Sequence, residues 1–132
     1  IRDRRMSRGL GDVYKRQIDS RFHLLGAVDN PYPYYKAADI YVHATRFEGK
    51  SIAIQEAQVL GCAIIASDCS GNREQINDGV DGILCGFTPA GIADGIEKLI
   101  TNPALATKFR MASAEKQINH LEELQNIYGM MR

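Results

Sequence analysis

Thr45-Arg46-Phe47-Glu48-Gly49-Lys50-Ser51-Ile52-Ala53-Ile54-Gln55-Glu56-Ala57 is the stretch on which the fold turns. It follows a short apolar run, Ile40 to His43, that reads as a strand. It leads into Ile52, Ala53, Ala57 and Leu60, whose spacing reads as one face of a helix over Ser51 to Leu60. The first turn of a helix carries backbone N–H groups without intrahelical partners, and the helix dipole adds positive potential there. The turn near Ser51 is therefore a site for a diphosphate. Lys50 can add a charge-assisted contact. Glu56 lies about a turn and a half into the helix, where a carboxylate can accept hydrogen bonds from two neighbouring hydroxyls, as a ribose offers. Glu48, ahead of the helix, would face a different portion of the same ligand.

Outward from this stretch, short apolar runs alternate with longer amphipathic ones, the rhythm of a parallel sheet with crossover helices. Strands are expected at Phe22 to Leu25, Ile40 to His43, Ala63 to Ser67 and Gly82 to Cys85. Helices are expected near Tyr32 to Ala38, Ser51 to Leu60 and Gly71 to Asn77. Gly61 stands where a left-handed residue ends a helix, and Pro33 suits a first helical turn. Pro89 opens Ala90 to Ile100, where Ile92, Ile96, Leu99 and Ile100 make one apolar face. A last helix from about Pro103 continues with Leu105, Phe109 and Met111 toward Leu121 and Leu124. The fold class is thus α/β, an open parallel sheet with helices on both faces. Ligands of such sheets bind beyond the carboxyl ends of the strands, which directs attention to Gly26 to Pro31, Ala44 to Ser51 and Asp68 to Asn72.

At 132 residues the chain has the size of one domain. No apolar run approaches the roughly 20 residues of a spanning helix, and no signal-like start is present, so the cytoplasm is the expected compartment. Cys62, Cys69 and Cys85 lack the pairing of a zinc site and read as buried or neutral thiols. His23, His43 and His120 are scattered and read as structural. Six basic residues (Arg2, Arg4, Arg5, Arg8, Lys15, Arg16) against two acids (Asp3, Asp12) set residues 1–17 apart. Ile1-Arg2-Asp3-Arg4 and Asp12-Val13-Tyr14-Lys15-Arg16-Gln17 match translations, in two frames, of one sequencing-adapter word containing GATGTGTATAAGAGACAG. Residues 1–17 are accordingly read as an adapter artefact and residues 18–132 as the domain. Taking those six from 16 basic residues and those two from 16 acidic ones leaves 10 against 14, a formal charge of −4. No nucleic-acid partner is then expected.

Glu48 and Glu56 match the E-x7-E motif of the retaining glycosyltransferase family 4, whose members have the two-domain GT-B fold. The surroundings resemble the family as well: Phe47-Glu48-Gly49, the helix ending Glu56-Ala57 with Gly61, the strand ending Ser67-Asp68, and Gly71 with Glu74. Leu24-Leu25-Gly26-Ala27-Val28 and Ala37-Ala38-Asp39-Ile40-Tyr41-Val42 look like its preceding elements, so the similarity runs from about Phe22 to Asn102. The resemblance implies a Rossmann-like C-terminal half that binds a nucleoside diphosphate sugar, with Glu56 on the ribose hydroxyls and Glu48 as the catalytic contact to the transferred sugar. Amides around Gly49, Lys50, Ser51 and Ile52 would hold the diphosphate, and backbone near Ala27 and Val28 would meet the base. Lys50 stands where many members carry an aromatic residue, which leaves the sugar open. No metal or other cofactor is implied, since cationic groups and helix-end amides neutralise the leaving diphosphate.

The family's Arg and Lys pair and its N-terminal domain are absent from this chain, so the isolated fragment is expected to be inactive. That N-terminal domain would recognise the acceptor, a glycan or lipid-linked sugar, with a role in cell-surface polysaccharide synthesis and peripheral association of the whole enzyme with the inner membrane face. A GT-B-fold nucleotide-sugar epimerase fragment and a non-catalytic nucleotide-sugar-binding module are the alternatives. Asp68, Gly71 and Glu74 serve a turn and helix as well as they would a ligand. Tyr32, Tyr34 and Tyr35 are expected in the core rather than stacked on a base. Asp39 and Asp68 near strand ends suggest a phosphoacceptor receiver domain, but its downstream strand-end lysine is missing.

Overall fold

A computed structural model describes residues 20–47 and 49–131, with side chains for all of these except 118, 123, 124, 128, 130 and 131. Residues 1–17, Glu48 and the Leu124 side chain therefore lie outside the described residues. The chain divides into two compact units, Ile1–Asn30 and Pro31–Arg132.

In the first unit the strand expected at Phe22 to Leu25 is not formed: these residues are coil, and every one of them is exposed. A strand is a property of a pair, and a buried strand shows an inward and an outward side. Apolar content alone supplies neither.

The second unit begins with α1 (Tyr32–Ala37) and β1 (Ile40–His43). Next come α2 (Ile52–Val59), β2 (Ala63–Ser67) and α3 (Ser70–Gln75). β3 (Ile83–Cys85), α4 (Pro89–Ile100) and α5 (Pro103–Met131) complete it. The described strands form one parallel sheet in the order β1-β2-β3, with Ile40 opposite Ala63 and Ile65 opposite Ile83. Central β2 is buried along its whole length.

Alternation along β2 divides the core in two. Ala63 and Ile65 join Ile83, Cys85, Leu99, Ala106 and Phe109 on the face covered by α4 and α5. Ile64 and Ala66 join Ile54, Ala57, Cys62 and Ile76 on the other face, where Tyr35 and Tyr41 close the edge. Both faces of the sheet are thus apolar, which is why β2 reads as an unbroken run rather than an alternating one. Gly95 lets α4 approach closely, since a Cβ there would lie 3.2 Å from Ile65 Cγ2.

Local signals account for the helix ends. Thr88 caps α4 by accepting from the Gly91 N–H at 2.9 Å, with Pro89 following it. Gly61, at φ +81°, ends α2. Its N–H donates to Gln58 O at 3.3 Å and the Cys62 N–H donates to Ala57 O at 3.0 Å, the two bonds of a Schellman motif. Two expectations need correction. Ile100 turns to solvent, because Ile92, Ile96 and Leu99 already fill the stripe facing the sheet. Of the three tyrosines only Tyr35 packs inward, edge-on to Tyr41 at 5.3 Å; Tyr32 and Tyr34 are largely exposed, since so short a helix has one inward position. Met111 and Leu121 on α5 are likewise exposed.

Candidate functional site

The loop between β1 and α2 is held at the carboxyl end of the sheet by one buried hydroxyl. Ser67 Oγ, at the end of β2, accepts from the Thr45 N–H at 2.9 Å and donates to Thr45 O. Asn72 Nδ2 in turn donates to Ser67 O at 2.8 Å. Thr45 Oγ1 and Asn72 Oδ1 are buried acceptors without a protein partner, so the hydrogen-bonding capacity of this corner is not fully used. Farther along the loop, the Arg46 guanidinium lies over the Phe87 ring at 5.3 Å.

Ser51 is the N-cap of α2, extended at φ −87° and ψ 123°, and its Oγ accepts from the Ile54 N–H at 3.3 Å. Its own N–H donates to Gln75 Oε1 at 2.6 Å. Among the amides expected to meet a diphosphate, that of Ser51 is thus engaged in this structure. Ile52 and Ala53, the first two helical residues, supply the N–H groups that the helix itself leaves unused. No acidic side chain occupies this first turn to neutralise its dipole.

The remaining sequence-derived residues separate into groups. Ile52 and Glu56 stand one turn apart and share a cavity of about 430 Å³ with Tyr32, Gln55, Val59 and Gln117. Glu56 is half-buried there, whereas Ile52 is 70% exposed. Gly49 lines a second cavity of about 500 Å³ with Arg46, Phe47, Asp68, Cys69 and Ser70. Lys50 is exposed between them in sequence. Ala27 and Val28 belong to the first unit. Asp68 is exposed and ion-paired to Arg73 Nε at 2.5 Å, a hydrogen bond that holds its carboxyl below the usual range. Gly71 is buried and Glu74 exposed.

Cys62 and Cys85 are buried, and desolvation pushes both thiols up, so they are neutral; Cys69 is only partly buried. His43 lies beside Tyr41, with its Nδ1 3.0 Å from the tyrosine hydroxyl, while His23 and His120 are exposed. Among the described residues no three His, Cys, Asp or Glu side chains gather as a metal site.

Sequence reasoning overlooked Gln75, Gln58, Lys116 and Asp81. The contacts that join them run across long stretches of chain: Gln75 to Ser51, Gln58 to Gln75 and Gln117, Lys116 to Gln75 and Asp81. The one signal available was three long polar residues, Gln58, Gln75 and Gln117, within or beside apolar periods.

A parallel sheet with helices on both faces, and with the first turn of α2 following the carboxyl end of β1, is a Rossmann-like α/β fold of the kind found in GT-B glycosyltransferases. The chain belongs to the family "Glycosyl transferases group 1", whose model matches residues 4–102. It is 32% identical over 83 residues to D-inositol 3-phosphate glycosyltransferase 1 of Catenulispora acidiphila, covering 62% of this chain and 20% of that protein. The chain spans about a fifth of the length of the curated relatives it matches. Among solved structures it is similar to the C-terminal domain of the group 1 glycosyl transferase LpcC from Francisella tularensis. That match has a TM-score of 0.70 and 29% identity over 86% of this chain and 60% of that one. It also shares its fold with Anabaena HepE, solved in complex with UDP: TM-score 0.79, 20% identity, 95% of this chain and 36% of that one. No described helix is long and apolar enough to cross a membrane.

Proposed function

We propose that the domain binds the nucleoside diphosphate sugar donor of a retaining, family 4 glycosyltransferase that moves a hexosyl unit to an acceptor hydroxyl. The observation that carries this reading is Glu56, half-buried in a cavity of about 430 Å³ and one turn from Ile52 in the open first turn of α2. A cavity of this volume suits a nucleoside. A carboxylate beside an anion-accepting turn suits ribose hydroxyls next to a diphosphate. The family membership and the UDP held by HepE support the same assignment.

In the reaction the acceptor oxygen joins the anomeric carbon, the bond from that carbon to the diphosphate oxygen breaks, and the nucleoside diphosphate and the hydroxyl proton are released. The role of this chain is to orient the donor. The Ile52 and Ala53 amides and Lys50 take up charge that develops on the departing diphosphate, without a metal. Glu48, eight residues before Glu56, contacts the transferred sugar. The acceptor, a glycan or lipid-linked sugar, is bound by the N-terminal domain of the whole enzyme.

Calorimetric titration with UDP and GDP tests the donor site. One nucleotide binds the wild-type chain, and Glu56→Ala weakens it at least about tenfold, the loss of charge-assisted hydrogen bonds. Equal binding by both proteins removes the ribose assignment.

A further inference from the structure

Gln75 closes on the Ser51 backbone with both ends of its side-chain amide, bridging the two peptide units that meet at that residue. Oε1 accepts the Ser51 N–H at 2.6 Å while Nε2 donates to Ser51 O at 2.8 Å. Ser51 dictates that orientation, because a reversed amide would set NH₂ against N–H and carbonyl against carbonyl. Both residues are nearly enclosed, at 4% and 5% exposure. Gln75 is itself held from behind. Its backbone carbonyl accepts from Gln58 Nε2 at 3.2 Å and from Lys116 Nζ at 2.5 Å. Lys116 also pairs with Asp81 Oδ2 at 3.1 Å, and Gln117 Nε2 donates to Gln58 Oε1 at 3.2 Å. The network thus runs from α5, through the end of α3, to the first turn of α2.

Capping does not require this. The Ser51 hydroxyl already satisfies the Ile54 N–H, as an N-cap side chain does. Holding the Ser51 backbone as well buries two glutamine amides and draws on a lysine, which is costly unless every partner is satisfied. What it adds is a fixed Ser51–Ile52 peptide plane, since the Ser51 carbonyl held by Gln75 Nε2 shares that plane with the Ile52 N–H. That plane contains the Ile52 N–H and leads into the unit that carries the Ala53 N–H, and such orientation is what a preformed anion site needs.

We propose that Gln75 is a positioning residue for the diphosphate, locking the anion-accepting turn of α2 in place with Lys116 and Gln117 of α5 behind it. This inference rests on the donor-binding reading above and is tested beside it. UDP, inorganic pyrophosphate and uridine are titrated into the full chain and into Gln75→Met, which keeps the volume and removes both hydrogen bonds. UDP and pyrophosphate weaken about tenfold in the variant, the loss of one to two hydrogen bonds, while uridine, which the turn does not touch, is unchanged. No loss overturns the inference, as does an equal loss for all three ligands, the signature of general loosening. Failure of the wild-type chain to bind UDP refutes the donor reading itself. Wild-type binding with an unaffected variant refutes only the role of Gln75. Hydrogen exchange of the Ser51 amide in the wild-type chain needs no folded variant: it is as slow as that of the β2 amides, and exchange at the rate of an exposed loop overturns the proposal.

Discussion

Gly61 ends α2 and delivers the chain to β2, so the cost of replacing it reads the rigidity of the helix that carries Ser51 and Glu56. Its φ is +81°, and a Cβ built there meets no atom within 4 Å. The penalty of Gly61→Ala is therefore conformational and not steric. A left-handed L-residue costs roughly 1–2 kcal/mol, and the reduced freedom of the unfolded chain returns about 0.4–1 kcal/mol. A net loss of about 1 kcal/mol follows, or a drop in Tm of about 4–5 °C for a domain of this size. Gly61→Asn should lose about half as much, since asparagine tolerates this region. Gly82→Ala supplies the contrast: its Cβ would lie 3.0 Å from Ile64 O and 2.9 Å from Ile76 Cγ2, so the backbone of β2 would have to move and the loss should be larger. Urea unfolding followed by circular dichroism orders the three. An unchanged midpoint in Gly61→Ala, or Asn as costly as Ala, would refute the left-handed cap as the source of the energy.

Two further predictions concern titration and reactivity. The Arg73 hydrogen bond lowers the folded pKa of Asp68, so its contribution is present above the ordinary carboxylate range and is lost as pH falls through the lowered value. The stability gap between wild type and Asp68→Asn should then be larger at neutral pH than at about pH 2.5; a gap independent of pH contradicts the pairing. Burial raises the thiol pKa of Cys62 and Cys85, so their contribution is present below the ordinary thiol range and fades as pH rises through the raised values. In the native chain at neutral pH a disulfide reagent should label Cys69 first. Comparable rates at all three cysteines would mean that β2 and β3 are not closed over the other two.

The elements legible in the sequence were those whose evidence is local. β1, β2, α2 and α4 follow from apolar periods bounded by Gly61, Pro89 and Ser51, each acting on its immediate neighbours. Phe22 to Leu25 had the composition of a strand, but pairing is settled by a partner that composition does not specify. Ile100 fitted the apolar period of α4, yet a stripe already filled by Ile92, Ile96 and Leu99 leaves it turned outward. The same limit applies to α1, where three tyrosines compete for the one inward place that Tyr35 takes.

For the site, spacing placed Glu56 well inside α2, and there it lines a cavity together with Ile52; Ile52 itself, expected on the apolar face with Ala53, Ala57 and Leu60, is 70% exposed because Ile54, Ala57 and Gln58 take the buried side. Spacing also implied that the Ser51 amide was available to a ligand, which only the distant Gln75 decides otherwise. The difference is instructive for the mechanism. A first turn that offers every N–H to the diphosphate binds it through whichever peptides happen to turn toward it. A turn with Ser51 committed to Gln75 offers Ile52 and Ala53 from a fixed frame. On the donor-binding function proposed above, the anion meets fewer donors, but they are already oriented, and less of the binding energy is spent on ordering them. Here that orientation comes from far away in sequence: Gln75 lies 24 residues beyond Ser51 and is itself held by Gln58 and Lys116. A buried glutamine anchored to a long helix supplies that rigidity, at the cost of being invisible to any reading confined to the motif.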